Sequence, residues 1–112
     1  MTSACSPCKE EIQQLLLNDN KTIVVKVLRE SCGATVGFGY DIVIDSTTGS
    51  WFSRRTIFKS LGTTNLSVEW AGHNQLMIRY DEAHILKFTN QWWTRDVPEK
   101  SITVRITELQ NR

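Results

Sequence analysis

Three cysteines and two histidines are the residues of this chain best suited to metal binding or nucleophilic catalysis. Cys5 and Cys8 are two residues apart, Cys32 comes one apolar segment later, and the histidines are His73 and His84. Thiolates and imidazoles suit tetrahedral zinc, and Cys5 and Cys8 could supply one closely spaced pair of ligands. A second such pair is needed, and Cys32 with either histidine does not have that spacing. A cysteine nucleophile needs a neighbouring base, and neither histidine shows a pairing pattern. We therefore favour free thiols or a disulfide over zinc and expect His84 to be packed on an apolar strand face.

The carboxylates and glycines show no catalytic or cofactor-binding pattern. Spacing typical of glycosidic or metal chemistry is missing from the acidic residues. The glycines at 33, 37 and 39 fall between and within apparent strands, whereas a phosphate-binding loop precedes a helix. The sequence therefore predicts a protein that is not an enzyme and has no cofactor and no metal.

Two segments combine tryptophan with arginine and are the candidates for recognition. Trp92, Trp93 and Arg95 lie close together, and Trp51 and Arg55 form a second pair. Tryptophan and arginine dominate the hot spots of protein interfaces. Adjacent residues of a strand point to opposite faces, so only one of the two neighbouring indoles fits easily in a core. We predict a protein-binding surface here, with a tryptophan that merely covers a sheet edge as the alternative.

The segments Cys5-Ser6-Pro7-Cys8 and Cys32-Gly33-Ala34-Thr35, separated by a polar turn and an apolar strand, resemble a family of uncharacterised small bacterial lipoprotein-like proteins. The resemblance covers about the first 45 residues and implies no activity. It implies a lipid on Cys5, and the small residues Ser3 and Ala4 before it agree with that role. The chain departs from the pattern because no apolar signal segment precedes Cys5, which would be explained if Met1 replaces a removed signal peptide.

This resemblance predicts a location in the cell envelope, with the membrane contacted only through the lipid on Cys5. An oxidising compartment permits disulfides, and we predict one between Cys8 and Cys32, with Cys5–Cys8 as the competing pair. Without a signal peptide, the protein would instead be cytoplasmic with reduced thiols.

Length and charge limit the classes of partner. The 112 residues fit one domain, residues 1–112, of which 1–6 are expected to be a flexible terminus. Thirteen basic against twelve acidic residues indicate no nucleic-acid partner held by bulk charge. No apolar run approaches the ~18 residues of a membrane span, so we expect a soluble chain.

Alternating apolar residues predict a mainly β fold, an antiparallel meander forming a small sandwich, barrel or curved sheet. Residues 36–44 alternate most clearly, and residues 66–70 and 76–80 form the best hairpin. Ile12, Leu15 and Leu16 have helical spacing and favour a short N-terminal helix, with a strand paired to residues 22–30 as the alternative.

The apolar faces of these strands predict the core. It comprises Ile23, Val25, Val27, Phe38, Tyr40, Ile42, Val68, Trp70, Leu76, Ile78, Leu86, Val104 and Ile106. Gly37 and Gly39 share the other side of their strand, which predicts a bulge, a bend or close approach of another backbone rather than a binding groove.

Three functional hypotheses follow. The first is a non-catalytic envelope module that binds an unidentified protein, or a second copy of itself, through its aromatic and arginine surface. The second is a cytoplasmic interaction protein, such as an immunity-type inhibitor or a protein encoded on a mobile element. A small hydrolase or metal protein is the third and is the least favoured.

Overall fold

The computed structural model describes residues 9–19, 21–31, 38–47, 54–72, 74–94 and 102–111. Within these ranges the chain forms strands and no helix, which confirms the mainly β fold. The strands are β1 (Lys9–Leu17), β2 (Ile23–Ser31), β3 (Phe38–Ser46), β4 (Arg55–Thr64), β5 (Ser67–Gly72), β6 (Gln75–Tyr80), β7 (Glu82–Phe88), β8 (Gln91–Thr94) and β9 (Ile102–Gln110).

The strands form two open sheets. The first sheet has the order β1-β2-β3-β4-β7 and the second has the order β5-β6-β9-β8. All pairs are antiparallel except β6 with β9, which run parallel. The chain therefore departs from a simple meander after β6, because β7 returns to the first sheet before β8 and β9 complete the second.

A single apolar cluster joins the two sheets. β2, β3 and β4 contribute Ile23, Val25, Val27, Ile42, Ile44, Ile57 and Phe58, and the second sheet contributes Val68, Leu76, Ile78, Tyr80, Trp92, Val104 and Ile106. The smallest extent of the described chain is 19 Å, as expected for two sheets packed about 10 Å apart. The indole nitrogen of Trp70 on β5 also donates to the carbonyl oxygen of Leu16 on β1, at 3.4 Å. The described residues therefore form two open sheets that share one core and not a closed barrel, an architecture compatible with a sandwich or a curved sheet.

The predicted N-terminal helix is wrong, because this segment is strand β1, paired along its length with β2. A β-bulge between Ile12 and Gln14 places one extra residue on β1. Ile12 and Leu15 therefore lie on the same outer face although they are three residues apart, while Leu16 packs against the core. The bulge produces the spacing that the sequence alone assigns to a helix.

The turn between β1 and β2 is organised by the buried side chain of Asn18. Its Oδ1 accepts hydrogen bonds from the backbone N–H groups of Thr22, at 2.8 Å, and Ile23, at 3.0 Å. Its Nδ2 donates to Thr22 Oγ1 at 3.0 Å. Lys21 adopts a φ of 58°, a left-handed conformation that is uncommon for a residue other than glycine. Asn18 thus satisfies the donors that this tight turn leaves unpaired.

Most of the predicted core is correct. The buried members are Ile23, Val25, Val27, Ile42, Val68, Leu76, Ile78, Val104 and Ile106. Tyr40 and Trp70 are partly buried and pack against the same cluster, and the Phe38 side chain lies outside the described residues.

Leu86 is the error in the predicted core, since its side chain is 48% exposed. The register of β7 against β4 shifts between Lys59 and Ser60, and this shift makes Leu86 the extra residue of a bulge. Ala83 and Ile85 consequently pack against the core. His84 is exposed, so its predicted packing on an apolar face is also wrong.

Gly39 confirms the predicted close backbone approach. A Cβ atom at this position would lie 2.8 Å from the carbonyl oxygen of Ser60 and 3.0 Å from Cδ2 of Leu61. A methyl group cannot fit at that distance from a backbone oxygen, so only glycine lets β3 pack here against β4. Gly37 lies outside the described residues.

Candidate functional site

The two adjacent tryptophans lie on β8, at one edge of the second sheet. Trp92 pairs with Val104 and is 5% exposed, whereas Trp93 pairs with Thr103 and is 54% exposed. The alternation predicted from their adjacency is therefore present. Trp92 belongs to the core, and any surface role falls to Trp93.

Exposed side chains surround Trp93 on the outer face of the second sheet. Gln91 lies opposite Arg105, and Arg105 is also the register partner of Gln75 on β6. Trp93 faces Thr103, two residues from Arg105 on the same side of β9. Diagonal neighbours of this kind are about 7–8 Å apart, within reach of long side chains. We call Gln75, Gln91, Trp93, Thr103 and Arg105 the recognition face.

The backbone beneath this face is fixed by connections between strands. The N–H of Arg105 donates to the carbonyl oxygen of Asn74 at 2.8 Å, and the N–H of Ile106 donates to that of Asn90 at 2.9 Å. Trp92 anchors β8 from the core side. The recognition face therefore presents its indole and guanidinium from a rigid support.

Among the other predicted recognition residues, Arg55 is described and does not lie on this face. Arg55 begins β4 in the first sheet, where it is exposed and donates through Nη1 to the carbonyl oxygen of Arg54 at 3.1 Å. Trp51 and Arg95 lie outside the described residues. Arg105 is the arginine that the described residues place diagonally from Trp93. The outward position of Arg105 was visible in the alternation of its strand, but its pairing partner was not.

A second group of polar side chains lies on the outer face of the first sheet. Lys59 Nζ lies 3.2 Å from Asp41 Oδ1 and 3.4 Å from Glu30 Oε1. Glu10, directly opposite Glu30 in the register, offers a third carboxylate, and the oxygens of the three acids lie within 4.8 Å of one another. Oxygen ligands of this kind suit hard divalent cations. The Lys59 ammonium already forms ion pairs with two of the three carboxylates, so a metal cation would have to compete with Lys59 for them.

The pKa values of this group show which charges are crowded. The pKa of Glu30 is raised above its ordinary value, first by a hydrogen bond with Asp41, then by burial and by repulsion from the same carboxylate. The pKa of Lys59 is raised as well, chiefly by its hydrogen bond to Asp41. A nucleophilic lysine requires the opposite shift. The arrangement holds Lys59 as a charged ammonium that partly balances the carboxylates.

Tyr80 occupies the boundary of the core. Its ring lies 6.1 Å from that of Phe58, tilted by 40°, and its hydroxyl donates to the Glu108 carboxylate. Burial and this neighbouring carboxylate raise the pKa of Tyr80 to about 12. The neutral phenol is therefore the form that the fold holds, and it acts as a hydrogen-bond donor at the end of the second sheet.

Comparison with known proteins gives no match: no family model fits the chain, and no curated protein or solved structure is significantly similar to it. The resemblance to lipoprotein-like proteins stays a prediction. Cys5, Cys8, Cys32 and His73 lie outside the described residues. Within the described ranges, no helix is long and apolar enough to cross a membrane.

Proposed function

We propose that this protein is a non-catalytic interaction module that binds a protein partner through the recognition face around Trp93. The observation that carries the proposal is the contrast between two neighbouring indoles on one short edge strand. Trp92 is buried, while Trp93 leaves about half of its surface in solvent.

The chemistry of the face supports protein binding over a purely structural role for Trp93. Truncation of a tryptophan or an arginine causes many of the largest losses of affinity at protein interfaces. Trp93 lies beside Thr103, diagonally from Arg105, and glutamines complete the face with hydrogen-bonding groups. The backbone that carries these side chains is already ordered by strand pairing, so binding requires no loop ordering here.

A photo-crosslinking experiment tests this function. Benzoylphenylalanine replaces Gln91, beside Trp93, in the protein expressed in its source cells, and cross-linked species are identified by mass spectrometry. We expect one predominant protein adduct, which Trp93→Ala and Arg105→Ala each greatly reduce. An adduct of twice the chain's mass would identify a second copy as the partner.

Leu109→Ala is the matched control because Leu109 is an exposed apolar residue further along β9. The adduct should survive this change. Equal adduct yields from Trp93→Ala, Leu109→Ala and the unchanged protein would refute the recognition face, as would the absence of any defined adduct.

We also propose that the module belongs to the cell envelope, with a lipid on Cys5 and a disulfide between Cys8 and Cys32. This part rests on the sequence resemblance. The disulfide would close a loop of about 25 residues, worth ~3 kcal/mol in the chain-entropy model. A non-reducing peptide map of protein from source cells should show linked Cys8 and Cys32 peptides, and three free thiols would support the cytoplasmic alternative instead.

A further inference from the structure

The outer face of the first sheet carries a group of aliphatic side chains that the recognition face does not involve. Ile12, Leu15 and Leu17 of β1 are 57%, 58% and 49% exposed. Leu28 lies opposite Ile12 and Val24 lies opposite Leu17 on β2, both half-buried. We call these five residues the apolar block. Single exposed aliphatic residues are ordinary on a surface, but a contiguous block on one sheet face is typical of an interaction site.

Carboxylates border the apolar block on two sides. Glu10 and Glu30 lie beyond its Ile12 end, and Asp41 and Asp45 follow its flank on β3. On β1 to β4, the described lysines of the same face are Lys26, within the block, and Lys59, already engaged with Glu30 and Asp41. Four carboxylates against two lysines make this part of the face acidic, although the whole chain carries a net charge of +1.

We propose that this face of the first sheet docks a basic amphipathic helix of a partner protein. Apolar side chains of the helix would cover the apolar block, and lysines or arginines on its sides would meet the bordering carboxylates. The recognition face lies on the opposite sheet, so this is a second and separate interaction surface.

The dimensions of the block fit one short helix. Because of the bulge in β1, the register partners of Ile12 and Leu17 on β2 are Leu28 and Val24, four residues apart, so the block is about 13 Å long at ~3.3 Å per residue. A helix of that length has about 9 residues, or two and a half turns, with apolar anchors at i, i+3 or i+4, and i+7. Two strands plus their side chains span about 10 Å, close to a helix diameter. A lysine or arginine placed near Glu10 and Glu30 would also relieve the crowding that raises the pKa of Glu30.

The charge of the face also argues against two other occupants. A second copy would bring two acidic faces together, and like charges across an interface disfavour association. An anionic lipid surface would be repelled in the same way. A basic segment is the occupant whose charge complements the border.

The probe for the experiment is a synthetic 14-residue peptide with leucine along one helical face and lysine elsewhere. One comparison peptide has glutamate in place of lysine, and another has the same leucine and lysine content in strict alternation. Dissociation constants are measured by fluorescence anisotropy at low and moderate salt, and the contact surface is mapped by amide chemical shifts. We expect saturable binding of the helical lysine peptide, weakening with salt, with shifts centred on β1 and β2.

Leu15→Asn and Asp45→Asn test the two parts of the face. Leu15 is largely exposed, and the amide oxygen introduced by Asp45→Asn can still accept the Ser46 N–H bond that Asp45 accepts at 2.8 Å, so both variants should fold. Each should weaken binding of the helical peptide, Leu15→Asn by about tenfold as for a moderate hot spot. Leu109→Asn on the second sheet and Trp93→Ala should leave binding of the helical peptide unchanged. A negative result with the peptide would therefore overturn only this proposal and not the recognition face, which is tested separately by cross-linking.

Several outcomes would overturn the proposal. These are absence of saturable binding, equal binding of the glutamate peptide, and equal weakening by Leu15→Asn and Leu109→Asn. Preference for the alternating peptide would show that an extended strand, not a helix, fits the face. A dimer in sedimentation analysis that Leu15→Asn dissociates would show that a second copy covers the block.

Discussion

Asn18 offers the sharpest test of how β1 is held in the first sheet. Its buried side chain makes three hydrogen bonds, two of them as acceptor from the backbone N–H groups of Thr22 and Ile23. Asn18→Ala leaves both donors without that acceptor. An unsatisfied buried donor costs about 1–3 kcal/mol, and the partly buried N–H of Thr22 recovers some of this from water.

We therefore expect Asn18→Ala to lower the free energy of unfolding by ~2–4 kcal/mol. That is a large share of the ~5–15 kcal/mol typical of a domain. Asn18→Asp is the matched variant, because a carboxylate supplies the same acceptor to both N–H groups and lacks only the Nδ2 donor. Its loss should stay within ~1 kcal/mol.

Urea unfolding followed by far-ultraviolet circular dichroism measures both changes, with stability taken from linear extrapolation. Amide hydrogen exchange should show faster opening of β1 in Asn18→Ala, with smaller changes in β6 at the centre of the second sheet. If the alanine and aspartate variants lost equal stability, the acceptor role assigned to Asn18 would be wrong. A loss below ~1 kcal/mol in the alanine variant would refute it as well.

Three further predictions concern packing and pH. Gly39→Ala should destabilise the fold by ~1–3 kcal/mol, because the added methyl group would lie 2.8 Å from a backbone oxygen. Gly72→Ala, at an open position, should change the stability little, and thermal unfolding compares the two variants. The folded-state pKa of Tyr80 is raised from 10.0 to about 12, so the stability that its neutral form contributes is complete below pH 10 and is lost as the pH rises through 12. Absorbance at 295 nm should show the late ionisation of Tyr80, and Glu108→Gln should lower the pKa of Tyr80. Ionisation of Tyr80 near pH 10 would contradict the prediction. The folded-state pKa of Glu30 is also raised, from an ordinary 4.5, so its protonated form favours folding and that stability is lost as the pH rises through the folded value. Glu30→Gln should accordingly be more stable than the unchanged protein at pH 7, and the difference in stability should vanish toward pH 4. Urea unfolding midpoints of both proteins, measured at pH 7 and pH 4, test this. A variant that is less stable at pH 7 would show that the ion pair of Glu30 with Lys59 outweighs the repulsion from Asp41.

The candidate recognition residues were only partly predictable. The adjacency of Trp92 and Trp93 required one indole on each face, because side chains alternate along a strand. Sequence could not say which indole faced the core. Pairing of Trp92 with Val104 decided that, and the same pairing brought Arg105 beside Trp93. Arg105 is 12 residues from Trp93 in the chain, so local periodicity holds no information about their proximity.

The charged group of the first sheet shows the same limit. Glu30, Asp41 and Lys59 come from three strands and meet only because β2, β3 and β4 are neighbours in a particular register. A shift of one residue would turn each side chain to the opposite face. The spacing of the acidic residues in the sequence showed no pattern typical of metal or glycosidic chemistry.

The sequence by itself determined the β class and the inward faces of β2, β5, β6 and β9, because an alternating strand can bury its apolar residues on one side only. Tertiary structure decided where alternation is interrupted and which strands pair. The bulge in β1 put Leu16 on the opposite face from Ile12 and Leu15, the bulge in β7 turned Leu86 outward, and β6 pairs in parallel with β9. The physical reason is that a side chain's direction follows from its own backbone, whereas a bulge or a strand pairing is chosen by the energy of contacts with residues far along the chain.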